Sequence, residues 1–300
     1  MVEFVNHMVF ELERTKPSSS DKILSQEELE LIQKDHKNCC KFILSWIVSS
    51  FQQHAAHTLV LYLQPLLPKL LAMRDEDKSV MNLQYTAIGY IANTEMTPSL
   101  ASNILNICCD LLQSPSWHTR ATILPFMQVL VFKNIFLLKD EIPSIIKALV
   151  SSLEDPQLEV RDLASTSLAG LLKFSDNETI SKLKEQFLKM SSIQLPKIDK
   201  NNRKFDPSFS SALRSRHGGV LGLAALARIH PYEIPDWLPE LLVTFATHIN
   251  DPMPIKSTVK KTFLEFWKVH QDAWAIEKTY FTNSQLTILT ELLVSPSYFA

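Results

Sequence analysis

Along residues 142–174, IPSIIKALVSSLEDPQLEVRDLASTSLAGLLKF, apolar positions recur with a helical period. Ile142, Ile145, Ile146, Leu149, Val150 and Leu153 follow the i, i+3, i+4, i+7, i+8 spacing of one helix face. Pro143 stands in the first turn, where its missing N–H costs nothing. Asp155-Pro156 stops the pattern, because proline disfavours a helical conformation for the residue before it. A second stripe follows with Val160, Ala164, Leu168, Leu171 and Leu172. The pattern predicts an αα-hairpin with one seam inside and a second apolar face for a neighbour, a unit that needs copies of itself to be stable.

The copies are present. Residues 100–133 give a helix, a Ser114-Pro115 turn and a helix carrying Arg120. Residues 237–270 give a helix, an Asp251-Pro252 turn and a helix opening at Ile255-Lys256. A weaker copy lies at 66–92, and RSRHGGVLGLAALA supplies a further second helix led by Arg216. Aligning Met81, Arg120, Arg161, Arg216 and Lys256 gives intervals of 39, 41, 55 and 40 residues. A period near 40 is that of two-helix repeats. The long interval holds the polar segment 189–210, whose Lys197, Lys200, Arg203 and Lys204 are diluted by Asp199 and Asp206 and read as a solvated loop.

Nearer the N-terminus, residues 1–13 read as a short amphipathic helix and 15–21 as a loop. Ser25 and Glu28 have the spacing of a capping box. The apolar run from Phe42 to Phe51 predicts a buried helix, and the helix over 58–73 should bend or restart at Pro65 and Pro68. Pro125, inside a second helix, should kink it at a cost of about 3 kcal/mol. The expected architecture is all-α, an α-solenoid of HEAT-like two-helix repeats. Its parts are N-terminal helices of a partial solenoid (1–60), repeats (61–188), the polar insertion (189–210), repeats (211–294) and a tail (295–300).

Composition narrows the function by exclusion. A formal charge of −2 gives no global reason for nucleic acid as a direct partner. No apolar run reaches the roughly 18–20 residues of a membrane span, and the N-terminus lacks a basic-then-apolar signal pattern, so a soluble intracellular chain is expected. Only 5 glycines are available, too few for a glycine-rich phosphate cradle. The 4 cysteines come as the adjacent pairs Cys39-Cys40 and Cys108-Cys109, a spacing that suits buried free thiols better than disulfides. His36 with Cys39 and Cys40, and His54 with His57, lack the further ligands a metal site needs, so neither a metal nor another cofactor is expected. His217 beside Gly218-Gly219 reads as the start of a helix, with close helix packing accounting for the glycines. Trp237, Trp267 and Trp274 read as core. No nucleophile elbow or zinc-protease motif occurs, and an enzyme is not expected.

The Asp-Pro…Val-Arg signature at 155–161 resembles HEAT repeats, in which turn acids and inner-helix basic residues pair along the stack. That resemblance makes Asp155, Arg161, Asp251 and Lys256 structural ladder residues. RSRHGGVLGLAALA, PYEIPDWLPELL, HINDPMPIKSTVKKT and TNSQLTILTELLVSPSYFA together resemble the C-terminal part of the large HEAT-repeat proteasome activator family. The likeness is densest over about 140–300. It implies a non-enzymatic partner of the 20S proteasome core particle, acting at its α-ring in nucleus and cytoplasm. The family ends in a hydrophobic–Tyr–any tail that inserts between α-subunits and favours gate opening. Tyr298, Phe299 and Ala300 occupy those positions, with phenylalanine in place of the tyrosine.

The same family carries a bromodomain-like region, here about 107–195, that would recognise acetylated histones. An acetyl-lysine pocket needs an amide for the acetyl carbonyl and apolar walls for its methyl group. Ser175 falls at the family's Asn position and Asp176 at its Phe position, so Phe174, Ser175 and Asn177 are the residues left to form such a pocket. Three readings therefore stand: a proteasome-binding module, an acetyl-lysine reader, and a general HEAT scaffold.

Overall fold

A computed structural model describes residues 1–17, 25–53, 56–74, 77–196 and 207–293. Every regular element among them is helical. Helix–helix contacts divide the chain into two compact units, Met1–Glu141 and Ile142–Ala300.

In the first unit, α1 (Val2–Thr15) buries Val5, Met8 and Leu12 against α2 (Gln26–Gln52). The capping box at the start of α2 is complete: Ser25 accepts from the Glu28 N–H, and Glu28 accepts from the Ser25 N–H at 2.9 Å. The helix then runs unbroken for 27 residues, with Cys40, Ile43, Leu44, Ile47 and Phe51 buried. Phe42 corrects the expectation of a wholly buried segment. It lies on the opposite side of α2 and is 65% exposed. Around Pro65 and Pro68 the chain restarts as predicted, giving α3 (Ala56–Leu63) and α4 (Leu67–Ala72).

The rest of this unit comprises α5 (Lys78–Ala92), α6 (Pro98–Leu111) and α7 (Trp117–Lys133), which continues through Pro125. The inner helices stack α2 on α5 and α5 on α7, while α6 pairs with α7. Gln84, fully buried on α5, donates from Nε2 to the Leu70 and Met73 carbonyls at 2.7 and 3.0 Å. It thereby satisfies acceptors that the end of α4 leaves open.

In the second unit, α8 (Ile142–Ser152) and α9 (Leu158–Leu172) form the hairpin read from the sequence, with Asp155-Pro156 in the turn. Next come α10 (Asn177–Ser191), α11 (Pro207–Ala227), α12 (Leu238–Ala246) and α13 (Ile255–His270). Two shorter helices, α14 (Trp274–Glu277) and α15 (Asn283–Leu293), complete it. Again α9 packs on α11 and α11 on α13; α8 pairs with α9 and α10 with α11, while α12 packs on α11 and α15 and the 3-10 turn that follows it, Thr247–Asn250, meets α13. Each unit is thus a stack of HEAT-like two-helix repeats, the layering an α-solenoid uses to bury faces that no single hairpin could bury.

The polar insertion is narrower than 189–210 at both ends, because α10 runs to Ser191 and α11 starts at Pro207. The tryptophans are not core. Trp237, Trp267 and Trp274 are half-buried, and Trp274 packs edge-on against Trp267 at 5.6 Å and tilted against Phe281 at 5.5 Å.

Candidate functional site

The aligned arginines share one local task. Arg120 Nη1 donates to the carbonyls of Ser114 (2.7 Å) and Pro115 (3.3 Å). Arg161 Nη1 does the same, at the same offset, to Asp155 (2.8 Å) and Pro156 (3.4 Å). A hairpin turn leaves carbonyls without helical partners, and a cation held over them answers both the lone pairs and the negative end of the preceding helix. The Asp155 carboxylate accepts from the Gln157 N–H at 2.8 Å and so shapes the turn.

Arg216 adds the pairing along the stack. Its Nη1 donates to the Ile193 carbonyl at 3.0 Å, while Nε and Nη2 reach the two oxygens of Asp251, each at 2.8 Å. His248 Nδ1 stands 2.8 Å from Asp251 Oδ2, so this carboxylate gathers two partners in a nearly buried setting. Lys256 does not fill the role its alignment suggested. Its side chain is exposed, and Arg216 is the residue that meets Asp251.

The next residue of α11, His217, is fully buried rather than placed at a helix start. Its Nε2 lies 2.8 Å from Thr258 Oγ1 on α13, and its Nδ1 has no hydrogen-bond partner. Burial, with a smaller contribution from the charge of Arg161, pushes the imidazole down to about 3. The glycines beside it are packing residues. A Cβ on Gly218 would meet the Leu153 carbonyl oxygen at 2.9 Å, and one on Gly219 would overlap the Ser191 backbone. One on Gly222 would enter the ring of Phe187. The close approach of α11 to α10 depends on the missing side chains of Gly219 and Gly222, and its approach to the α8–α9 turn on that of Gly218.

The connection from α9 to α10 carries the residues singled out for acetyl-lysine. Phe174 is 44% exposed, and Asn177 is exposed at the first position of α10. Asp176 caps α10, accepting from the Thr179 N–H at 2.7 Å, and these hydrogen bonds hold its carboxyl below the usual range. Ser175 Oγ is buried with no partner. The connection thus offers the buried Ser175 hydroxyl and the exposed Asn177 amide.

Tyr298, Phe299 and Ala300 lie outside the described residues, as do Lys197, Lys200, Arg203, Lys204 and His54. The four cysteines are free thiols, Cys40 and Cys108 buried, Cys39 and Cys109 half-buried. His36 contacts Thr15 Oγ1 through Nδ1 at 3.0 Å and Cys40 Sγ through Nε2 at 3.6 Å. Among the described residues no cluster of three or more His, Cys, Asp or Glu side chains is placed to hold a metal, and no helix is long and apolar enough to cross a membrane. Sequence reasoning singled out neither the Arg216–Asp251 pair nor the His270–Glu277 pair, buried at 2.8 Å. Opposite charges far apart in sequence leave no local pattern, and only the repeat alignment hinted at the first.

Hairpins in register, glycine-mediated packing and the Arg216–Asp251 pair across the stack define a HEAT-repeat scaffold. Residues 213–300 match the model of the family described as proteasome activator complex subunit 4-like, C-terminal. Proteasome activator complex subunit 4 of Homo sapiens is 38% identical over 274 residues, and that of Bos taurus is 37% identical over 274. Proteasome activator subunit 4 of Arabidopsis thaliana is 29% identical over 260. The human and bovine matches cover 87% of this chain and 15% of the relative, so the chain spans a small part of their length. By sequence it belongs with the C-terminal part of the proteasome activator complex subunit 4 family.

Among solved structures, a chain from the study of Kap95p binding to RanGDP has a TM-score of 0.41 at 13% identity, covering 97% of this chain and 43% of its own length. A computationally designed armadillo repeat protein has a TM-score of 0.36 at 17% identity, covering 87% of this chain and 99% of its own.

Proposed function

We propose that this chain is a non-enzymatic proteasome activator component that binds the end of the 20S core particle through Tyr298, Phe299 and Ala300. In this reading it promotes ubiquitin-independent degradation in nucleus and cytoplasm. The observation that carries the proposal is the family match over 213–300, which runs through the tail itself. Two aromatic rings beside a terminal carboxylate form a compact plug that buries its rings between subunits while the carboxylate meets a basic side chain. Phe299 keeps the ring of the family's tyrosine and lacks its hydroxyl. One lost hydrogen bond is worth about 0.5–1.5 kcal/mol, enough to weaken gate opening without abolishing docking. Deleting residues 298–300 should remove core-particle binding; retention of binding would refute the proposal.

The reader of acetylated histones is the alternative, and the general scaffold without proteasome affinity is the reading left if both fail. Proteasome docking does not require an acetyl-lysine pocket, and the one amide among the candidate residues, Asn177, is exposed at the start of α10.

A further inference from the structure

His270, the last residue of α13, is 2% exposed, and its two ring nitrogens are differently employed. Nδ1 stands 2.8 Å from Glu277 Oε2 of α14; a carboxylate accepts and does not donate, so Nδ1 carries a proton. Nε2 has no hydrogen-bond partner among the described residues. Phe266 stacks on the imidazole at 4.2 Å, so the ring is fixed by a face contact and a carboxylate together. The imidazole is one wall of a recess of about 240 Å³ between α11 and α13, whose other walls include Ala227, Pro231, Phe266 and Val269. That volume exceeds the roughly 150 Å³ that accommodates a benzene ring. The more exposed side of the recess carries Arg228 and Glu265, paired at 2.9 Å. Arg228 also lines a second, polar recess with Asp162, Thr166, Ser257 and Lys261 of α9 and α13, so the two adjoin along the inner helices.

We propose that this inner-helix surface of the second unit is a docking groove for an extended peptide, whose tyrosine enters the apolar recess and meets His270 Nε2. The flanking chain then lies over Arg228 toward Asp162 and Lys261. Charge selects a neutral occupant: a buried carboxylate would face Glu277, and an ammonium would face Arg228. A phenol hydroxyl both donates and accepts, so it satisfies Nε2 as a lone pair or as an N–H. Its ring packs on Phe266 and Val269. Tyrosine is the protein side chain that couples such a ring to such a hydroxyl. The neighbouring recess argues for a peptide over a free phenol, because its hydroxyls and opposite charges suit main-chain amides and polar flanking residues.

The proposal stands apart from tail-mediated docking, and its test uses no core particle. The peptide acetyl-Ser-Gly-Tyr-Gly-Ser-amide, its phenylalanine analogue and p-cresol are titrated into the 300-residue chain by calorimetry and NMR. The tyrosine peptide should bind about threefold to tenfold tighter than the phenylalanine peptide, the increment of one hydrogen bond. It should bind more tightly than p-cresol, and it should shift the Nε2 resonance of one histidine where the phenylalanine peptide does not. Val269→Trp, at an exposed position, fills the recess without touching the buried pair and should abolish binding. Leu264→Trp, exposed on the same helix, should leave binding unchanged. Equal affinity for the tyrosine and phenylalanine peptides overturns the proposal, as does binding that survives Val269→Trp. Binding of p-cresol as tight as that of the peptide also overturns it, because the recess then takes free phenols. Binding that appears only in a chain ending at Ser295 overturns it as well, because the protein's own C-terminus is then the occupant.

Discussion

Arg216 and Asp251 meet through two N–H···O contacts of 2.8 Å across 35 positions of sequence, joining α11 to the turn before α13. The side chains are 19% and 14% exposed, so each charge depends on the other for its solvation. Removing one partner strands the other. Arg216→Ala should therefore cost about 2–4 kcal/mol, somewhat below the range for fully buried pairs because some water reaches this one. Arg216→Lys should recover only part of that loss, since an ammonium cannot make the two-point contact. Chemical denaturation of the two variants and of Asp251→Asn checks this; three midpoints equal to that of the parent chain would contradict it.

The glycines of α11 give a test with opposite signs. Gly219→Ala and Gly222→Ala place a methyl group against the Ser191 backbone and the Phe187 ring, and should destabilise by about 1–3 kcal/mol each. Gly89→Ala, in α5, meets nothing within 4 Å and should stabilise by about 0.5–1 kcal/mol through helix propensity alone. Thermal or urea unfolding distinguishes the two classes. A stabilising Gly219→Ala would mean that α10 and α11 do not approach as described.

His217 sets part of the acid limb of the stability profile. Its folded value of about 3 lies below the unfolded value near 6.5, so the unfolded chain takes up a proton that the folded chain refuses. The stability this provides is complete above about pH 6.5 and is lost as pH falls toward 3, at up to about 1.4 kcal/mol per pH unit. His217→Gln should flatten that limb. Imidazole resonances should show one histidine that stays neutral at pH 5; titration of all nine histidines near their ordinary value would contradict the burial.

At the α9–α10 connection, acetylated and unmodified histone H4 peptides should bind with equal affinity. Asp176 is committed to capping α10, and Ser175 presents a single hydroxyl in place of an amide. Isothermal titration decides the matter. A tenfold preference for the acetylated peptide, abolished by Ser175→Ala, would favour the reader instead.

Local signals were legible where neighbouring residues decide the outcome. The Asp155-Pro156 turn, the Ser25–Glu28 capping box and the restart at Pro65 and Pro68 each follow from the chemistry of a few adjacent positions. Phe42 was misjudged because an apolar run does not say which side of a helix the core will occupy. His217 looked like a helix start because α11 opens ten residues earlier, in the unpromising stretch Pro207-Ser208-Phe209-Ser210. The partner of Asp251 was hidden because Lys256 and Arg216 carry the same charge, and only packing of α11 on α13 chooses between them. For the proposed proteasome-binding tail, the sequence is the whole argument.

The most direct measurement is co-purification with the 20S core particle, comparing the 300-residue chain with one that ends at Ser295 and with a Phe299→Tyr variant. The account predicts capture by the intact chain, loss of capture on truncation, and faster hydrolysis of fluorogenic peptides with Phe299→Tyr than with the parent. Capture that is undiminished when the chain stops at Ser295 would contradict it.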